Sequence, residues 1–136
     1  MKRAIICDCD GTISLRTNRD TYDFNSSIDD KPNSSIIELL KIYKESGFSI
    51  IIVTAREEKF KKITEKWLFI NNIEYDQIFF RDNKDYRSDE IVKEEIFKKN
   101  IKPHWLISFV LDDRDRVVKM WRKIGLTCLQ VNEGDF

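Results

Sequence analysis

Asp8 and Asp10 stand two residues apart in the run Cys7-Asp8-Cys9-Asp10-Gly11-Thr12, directly after the apolar stretch Ala4-Ile5-Ile6. A carboxylate leaving a buried strand is costly to desolvate, and two crowded together oppose each other's ionisation. A hard divalent cation such as Mg²⁺ is the usual remedy for oxygen ligands. Further along, Asp112-Asp113 ends a second apolar run, and Thr54-Ala55-Arg56 follows a third. Acids, a hydroxyl and cations together suit phosphoryl transfer, where catalysis is mainly positioning and charge stabilisation. A carboxylate nucleophile splits phosphate-ester hydrolysis into two easier steps through an acyl phosphate. A second carboxylate can protonate the leaving oxygen and later deprotonate water. Mg²⁺ would offset the repulsion between an anionic nucleophile and an anionic phosphate.

These residues need elements that bring them together. Residues 3–7 are expected to form a strand, and 13–32 a polar loop that leaves directly from the acidic pair. A long loop in a compact domain tends to be functional. A helix is expected to start at Asn33 or Ser34, with Ile36, Leu39, Leu40 and Tyr43 at helical spacing, and to stop at Gly47. Residues 48–53 form a β-branched apolar run, hence a strand buried on both faces. A second helix carries Phe60, Ile63, Trp67 and Ile70, and a third strand covers 77–80. The charged loop 81–87 leads to a third helix, capped by Ser88 or Asp89 and carrying Val92, Ile96 and Phe97. A fourth strand at 107–111, a fourth helix with Val117, Met120, Trp121 and Ile124, and a last strand at 127–131 complete the chain. Five strands alternating with four helices predict an α/β domain over residues 1–136. The expected architecture is a Rossmann-like open parallel sheet with helices on both faces. In such sheets ligands bind outside the carboxyl ends of the strands. Asp8 with Asp10, Thr54 with Arg56, and Asp112 with Asp113 all fall at such ends.

Composition narrows the function. The chain is 41% hydrophobic and 35% charged, which favours a folded core over disorder. No run approaches the roughly 20 apolar residues of a membrane span. Zero formal net charge argues against coating long nucleic acid by bulk electrostatics, but not against recognising a strand end. The clusters Lys59, Lys61, Lys62, Lys66 and Lys98, Lys99, Lys102 are expected to be solvated helix faces. Three cysteines cannot all pair, and Cys7 and Cys9 lack the spacing of common zinc or redox motifs, so reduced thiols in a cytoplasmic protein are expected. The lone His104 is expected to be structural or at the surface, and Trp67 and Trp121 to pack in the core.

The order of these motifs resembles that of the haloacid dehalogenase-like phosphatases. Their signature is Asp-x-Asp-Gly-Thr after a first strand, a strand ending in Thr or Ser, a helical Lys and a strand ending in Asp-Asp. Within that superfamily the chain is most similar to the 3′-phosphatase domain of bacteriophage polynucleotide kinase/phosphatases. The second half carries this likeness: Ile91-Val92-Lys93-Glu94-Glu95-Ile96-Phe97, Pro103-His104, Asp112-Asp113-Arg114, Val117-Val118-Lys119-Met120-Trp121-Arg122 and Gly134-Asp135-Phe136.

The resemblance implies Asp8 as the nucleophile that becomes aspartyl-phosphate. Asp10 would be the general acid/base, with its main-chain carbonyl on the metal. Thr54 would hydrogen-bond the phosphate, and Lys93 would neutralise charge. Asp112 and Asp113 would hold Mg²⁺ together with Asp8. Arg19 and Arg56 would bind phosphate or substrate. Asp89 is grouped with them as substrate-binding and, one helical turn before Lys93, would be placed to pair with it. The implied activity is Mg²⁺-dependent removal of a 3′-phosphate, or a 2′,3′-cyclic phosphate, from DNA or RNA ends. No large cap domain is expected. The implied setting is end repair in the cytoplasm, the host's if the chain is phage-encoded, and self-association of relatives makes a homodimer an option. No Gly-x-x-x-x-Gly-Lys-Ser/Thr loop occurs, so a 5′-kinase module is not expected here. The segment between Arg56 and Trp67 is shorter than in the bifunctional enzyme. Two alternatives stand beside this reading: a small-molecule nucleotide phosphatase of the same superfamily, and a phosphate-accepting receiver-like domain. The receiver requires an Asp at the end of the third strand, where Phe80 is followed by Arg81.

Overall fold

A computed structural model describes residues 1–136. Its main strands are β1 (Lys2–Cys7), β4 (Ser49–Glu57), β5 (Gln77–Arg81), β6 (Trp105–Asp112) and β7 (Cys128–Gln130). A two-residue pair, β2 (Ser14–Leu15) and β3 (Lys31–Pro32), stands apart from them. The helices are α1 (Ser34–Glu45), α2 (Lys61–Ile70), α3 (Asp89–Ile96) and α4 (Asp115–Lys123). The five main strands form one sheet in the order β5-β4-β1-β6-β7, every pair parallel. The chain therefore steps outward from β1 through β4 to β5, then returns to the other side of β1 for β6 and β7. That reversal puts the carboxyl end of β1 at the switch point, where open α/β sheets bind ligands.

Alternation along the strands decides which helix covers which face. Ile6, Ile51, Val53 and Val110 point to one side and pack with Phe97, Val117, Val118 and Trp121 of the α3 and α4 region. Ile5, Cys7, Ile50 and Ile52 point to the other and pack with Leu40 of α1 and with Trp67 and Leu68 of α2. Successive strand residues face opposite ways, so a run such as Ser49–Val53, buried throughout, is what a sheet covered on both faces demands. Trp67 and Trp121 are core residues, and His104 is exposed.

The structure alters several expected boundaries. β4 does not stop at Val53: it continues to Glu57, because Glu57 pairs with Arg81 of β5 after a shift in register. Thr54 and Arg56 thus lie within a strand. β6 begins at Trp105 because Lys2 and Arg3 of β1 pair with Trp105 and Leu106. α3 widens into a π-helical turn at Phe97–Ile101. The polar segment 13–32 is not all loop: β2 and β3 pair, and a 3₁₀ turn covers Phe24–Asp29. Asn33 sits at the N-cap of α1, but its side chain donates to the Thr12 carbonyl instead of capping the helix. That bond ties α1 to the turn after Asp10.

Candidate active site

Asp8 follows the last residue of β1 and is nearly buried. Its Oδ1 accepts a hydrogen bond from Lys93 Nζ at 2.8 Å, and its Oδ2 accepts one from Thr12 Oγ1 at 3.2 Å. Lys93 also donates to Asp112 Oδ2 at 2.9 Å, an oxygen that accepts the Trp121 indole N–H as well. One ammonium therefore bridges the ends of β1 and β6. Asp8, Asp112 and Asp113 bring carboxylate oxygens within 4.8 Å of one another. Burial first, and then Asp112, push the Asp8 carboxyl well above the usual range, against the pull of Lys93. Asp113 is also raised, again chiefly by burial. Burial opposes the charge on Lys93, but the two facing carboxylates outweigh it and hold its pKa above the ordinary lysine value. Three buried acids against one cation leave uncompensated negative charge, which a hard divalent ion with oxygen ligands would neutralise.

Two glycines make room for Asp113. Gly11 has φ +81°, in the left-handed region, and a Cβ there would collide with Asp113 Oδ2. A Cβ on Gly134 would collide with the Asp113 main-chain carbonyl. The tail is tied to the same loop: the Asp115 N–H donates to the Gly134 carbonyl, and Gln130 Nε2 donates to the Asp113 carbonyl.

Asp10 has a different environment. Its side chain is 35% exposed, outside the Asp8–Asp112–Asp113 group. Arg56 donates to both of its oxygens, from Nε at 2.9 Å and Nη2 at 2.7 Å, a bidentate fork. Arg19 Nη2 adds a third bond at 3.0 Å. Both guanidinium groups reach back to buried Asp30, which takes Arg19 Nε and Nη2 at 2.8 Å each and lies 3.5 Å from Arg56 Nη2. Ser14 Oγ completes Asp30 at 3.0 Å. Sequence reasoning missed Asp30. It lies in a polar stretch with Asp20, Asp23 and Asp29, and only its burial singles it out.

Arg19 and Arg56 were expected to meet phosphate or substrate. Here both guanidinium groups clasp Asp10 and Asp30. Arg56 still lines the cleft. The expected pairing of Asp89 with Lys93 does not occur. Lys93 is drawn into the buried acid cluster, while Asp89 takes Arg81 Nη2 and Arg114 Nη1 at 2.6 Å each. Thr54 is fully buried, and its hydroxyl accepts the Arg56 N–H at 3.2 Å. Cys7, Cys9 and Cys128 are unpaired. Burial raises the Cys7 thiol and carries Cys9 up to about 12, so neither supplies a thiolate beside Asp8.

A cleft of about 570 Å³ opens over this floor. Asp8, Lys93, Asp112 and Asp113 lie on its wall with Asp10, and around them Lys59, Arg81, Arg87, Arg114 and Arg116 outnumber Glu57, Asp85 and Asp89, with which four of them form ion pairs.

A parallel sheet in this order, with the acid pairs at the ends of its central strands, defines a haloacid dehalogenase-like fold. A class C acid phosphatase from Bacillus anthracis shares that fold, with a TM-score of 0.63 at 17% identity over 99% of this chain and 68% of its own. The family model for the polynucleotide kinase PNKP phosphatase domain matches residues 2–136, and the chain belongs to that family. Among relatives, it is 30% identical over 127 residues to a putative bifunctional polynucleotide kinase/RNA ligase of Autographa californica nuclear polyhedrosis virus, covering 91% of this chain and 18% of that protein. It superposes with a TM-score of 0.98 and 41% identity on a chain from the structure of the Pnkp1/Rnl/Hen1 complex, covering 100% of this chain and 48% of that one. A second structure, of the Pnkp1/Rnl/Hen1 RNA repair complex, gives 0.97 and 41%, covering 99% of this chain and 44% of that one. The chain thus spans less than half the length of these repair-complex chains and under a fifth of the viral relative.

Proposed function

We propose that this domain is a Mg²⁺-dependent polynucleotide 3′-phosphatase that works through an aspartyl-phosphate. The observation that carries the reading is the contrast between two carboxylates two residues apart. Asp8 is buried against Lys93 and two further acids, whereas Asp10 is held half-open at the cleft by two arginines. The two side chains would therefore meet different parts of a bound substrate, Asp8 the phosphorus beside the acid cluster and Asp10 the leaving oxygen at the cleft. Asp8 Oδ attacks phosphorus, and the bond to the nucleotide 3′-oxygen breaks as Asp10, which must first take up a proton in place of a guanidinium contact, delivers that proton to the oxygen. Asp10, now a carboxylate, takes a proton from water, which hydrolyses the acyl phosphate and regenerates Asp8. Lys93 offsets charge on the nucleophile and the transferring group, whereas Thr54, fully buried and off the cleft wall, makes no contact with the phosphoryl oxygens. Arg19 and Arg56 fix the Asp10 carboxylate, and Arg56 also faces bound phosphate.

The carboxylates of Asp8, Asp112 and Asp113, with the main-chain carbonyl of Asp10, form an all-oxygen donor set suited to Mg²⁺. Bound there, the ion would supply Lewis-acid charge neutralisation for phosphate beside Asp8. The setting we propose is nucleic-acid end repair. A 3′-hydroxyl is the product that strand sealing consumes, and similar chains come from an RNA repair complex and from a kinase/ligase. Both 3′-phosphate and 2′,3′-cyclic phosphate ends are candidate substrates. The test is phosphate release from a 3′-phosphorylated oligonucleotide with Mg²⁺, by wild type and by Asp8→Asn. Turnover by the wild type alone supports the reading, and turnover by Asp8→Asn refutes the assigned nucleophile.

A further inference from the structure

Tyr22, Phe69, Tyr86 and Phe136 are the strongly exposed aromatic side chains. A single exposed ring is ordinary. Here three of the four, Tyr22 (73% exposed), Tyr86 (82%) and Phe136 (60%), line the one cleft that descends to Asp8. Their supports are fixed. Arg81 Nη1 bonds the main-chain carbonyls of both Asp85 and Arg87, which clamps the backbone on either side of Tyr86. Tyr22 meets Phe24 edge-on at 6.3 Å, and Phe24 lies under the Arg56 guanidinium at 4.9 Å. Phe136 carries Arg114 over its ring at 4.7 Å. All three rings are solvent-exposed, and a hydrogen bond holds the backbone beside the other two as well, from Arg19 Nη1 to the Thr21 carbonyl and from Arg114 Nε to the Phe136 carbonyl.

We propose that Tyr22 and Tyr86 are stacking faces for the nucleobases of an unpaired 3′ end, an inference that rests on the 3′-phosphatase reading above. The cleft floor is anionic and deep, so the terminal phosphate must descend to Asp8 while its nucleoside stays at the mouth. An aromatic ring there meets the π-face that every base offers, which tolerates any base and either sugar. At a nick the terminal base is held in the helix stack, and reaching the rings costs unstacking. Single-stranded and overhanging 3′-phosphates are therefore the preferred substrates over nicked ones.

The experiment compares kcat/KM on two single-stranded 3′-phosphorylated oligonucleotides. They are identical except that one ends in a normal nucleotide and the other in a stable tetrahydrofuran abasic residue. The wild type is expected to favour the base-bearing end by about tenfold. Tyr22→Ala and Tyr86→Ala are expected to shrink that ratio, and Tyr22→Phe and Tyr86→Phe to restore it. The wild-type ratio needs no variant, so a misfolded substitution does not void the test. A wild-type ratio of one, or alanine variants that keep the wild-type ratio, overturns the stacking proposal alone. A wild type that releases phosphate from neither oligonucleotide overturns the 3′-phosphatase reading, and this inference with it.

Discussion

Two carboxylates of the same residue type, two positions apart, end in opposite settings because one is buried by the sheet and the other is held by guanidinium groups. Asp10→Asn keeps the shape but removes the transferable proton, and should lower turnover about 10²- to 10⁴-fold in steady-state phosphate release. Lys93→Met leaves Asp8 and Asp112 facing each other without their bridging cation. It should cost about 3–5 kcal/mol of metal-free stability, read by urea unfolding, because a buried charge stripped of its partner is costly. Positions of Asp8, Asp10, Asp112 and Asp113 were legible in the sequence, since each is an acid at the end of an apolar run. The partner of Lys93 was not. Spacing along a helix nominates Asp89 as its partner, but burial draws the ammonium to the ends of β1 and β6 instead. Asp30 was equally hidden, since no local pattern separates it from its acidic neighbours.

At the scale of elements, the polar segment between β1 and α1 works as a bracket for Asp10. Asp30 holds Arg19 and Arg56, and the Trp67 indole of α2 donates to the Asp30 carbonyl. Asp30→Asn should lower kcat/KM for the oligonucleotide about tenfold or more, because it loosens both Arg56 on the cleft wall and Asp10, the proposed general acid. The strand order follows from apolar runs and helix periodicity. The extension of β4 to Glu57 does not, because it depends on pairing with Arg81 across the sheet.

A second joint lies at the opposite end of the strands. The Asp76 carboxylate takes the Ile50 N–H at 2.7 Å and Lys44 Nζ at 2.6 Å, linking α1, β4 and the approach to β5. Burial is the largest single influence and raises its pKa, but Lys44 and the Ile50 N–H together outweigh it and hold the carboxyl below the usual carboxylate value. A depressed folded-state pKa contributes stability that is present above the unfolded value, near 3.8, and is lost as pH falls through the folded one. Asp76→Asn should therefore destabilise the fold at pH 7 by about 1 kcal/mol or less, given solvent screening, and the difference should vanish in thermal melts near pH 2.

For the whole molecule, zero net charge goes with a cleft whose anionic floor gives way to an aromatic mouth where arginines and a lysine are ion-paired with Glu57, Asp85 and Asp89. A divalent ion that binds only the folded state raises its stability by mass action. Millimolar Mg²⁺ should accordingly raise the melting temperature of the wild type by a few degrees and that of Asp113→Asn by less. Equal shifts would contradict the assignment of Asp113 as a ligand. The measurement that bears most directly on the central claim is phosphate release, with Mg²⁺, from matched substrates: a 3′-phosphorylated DNA oligonucleotide, its RNA counterpart and a nucleoside 3′-monophosphate. The account predicts turnover of the oligonucleotides that disappears with chelator and with Asp8→Asn. Intact oligonucleotides alongside a readily cleaved mononucleotide would contradict it and make the protein a small-molecule nucleotidase.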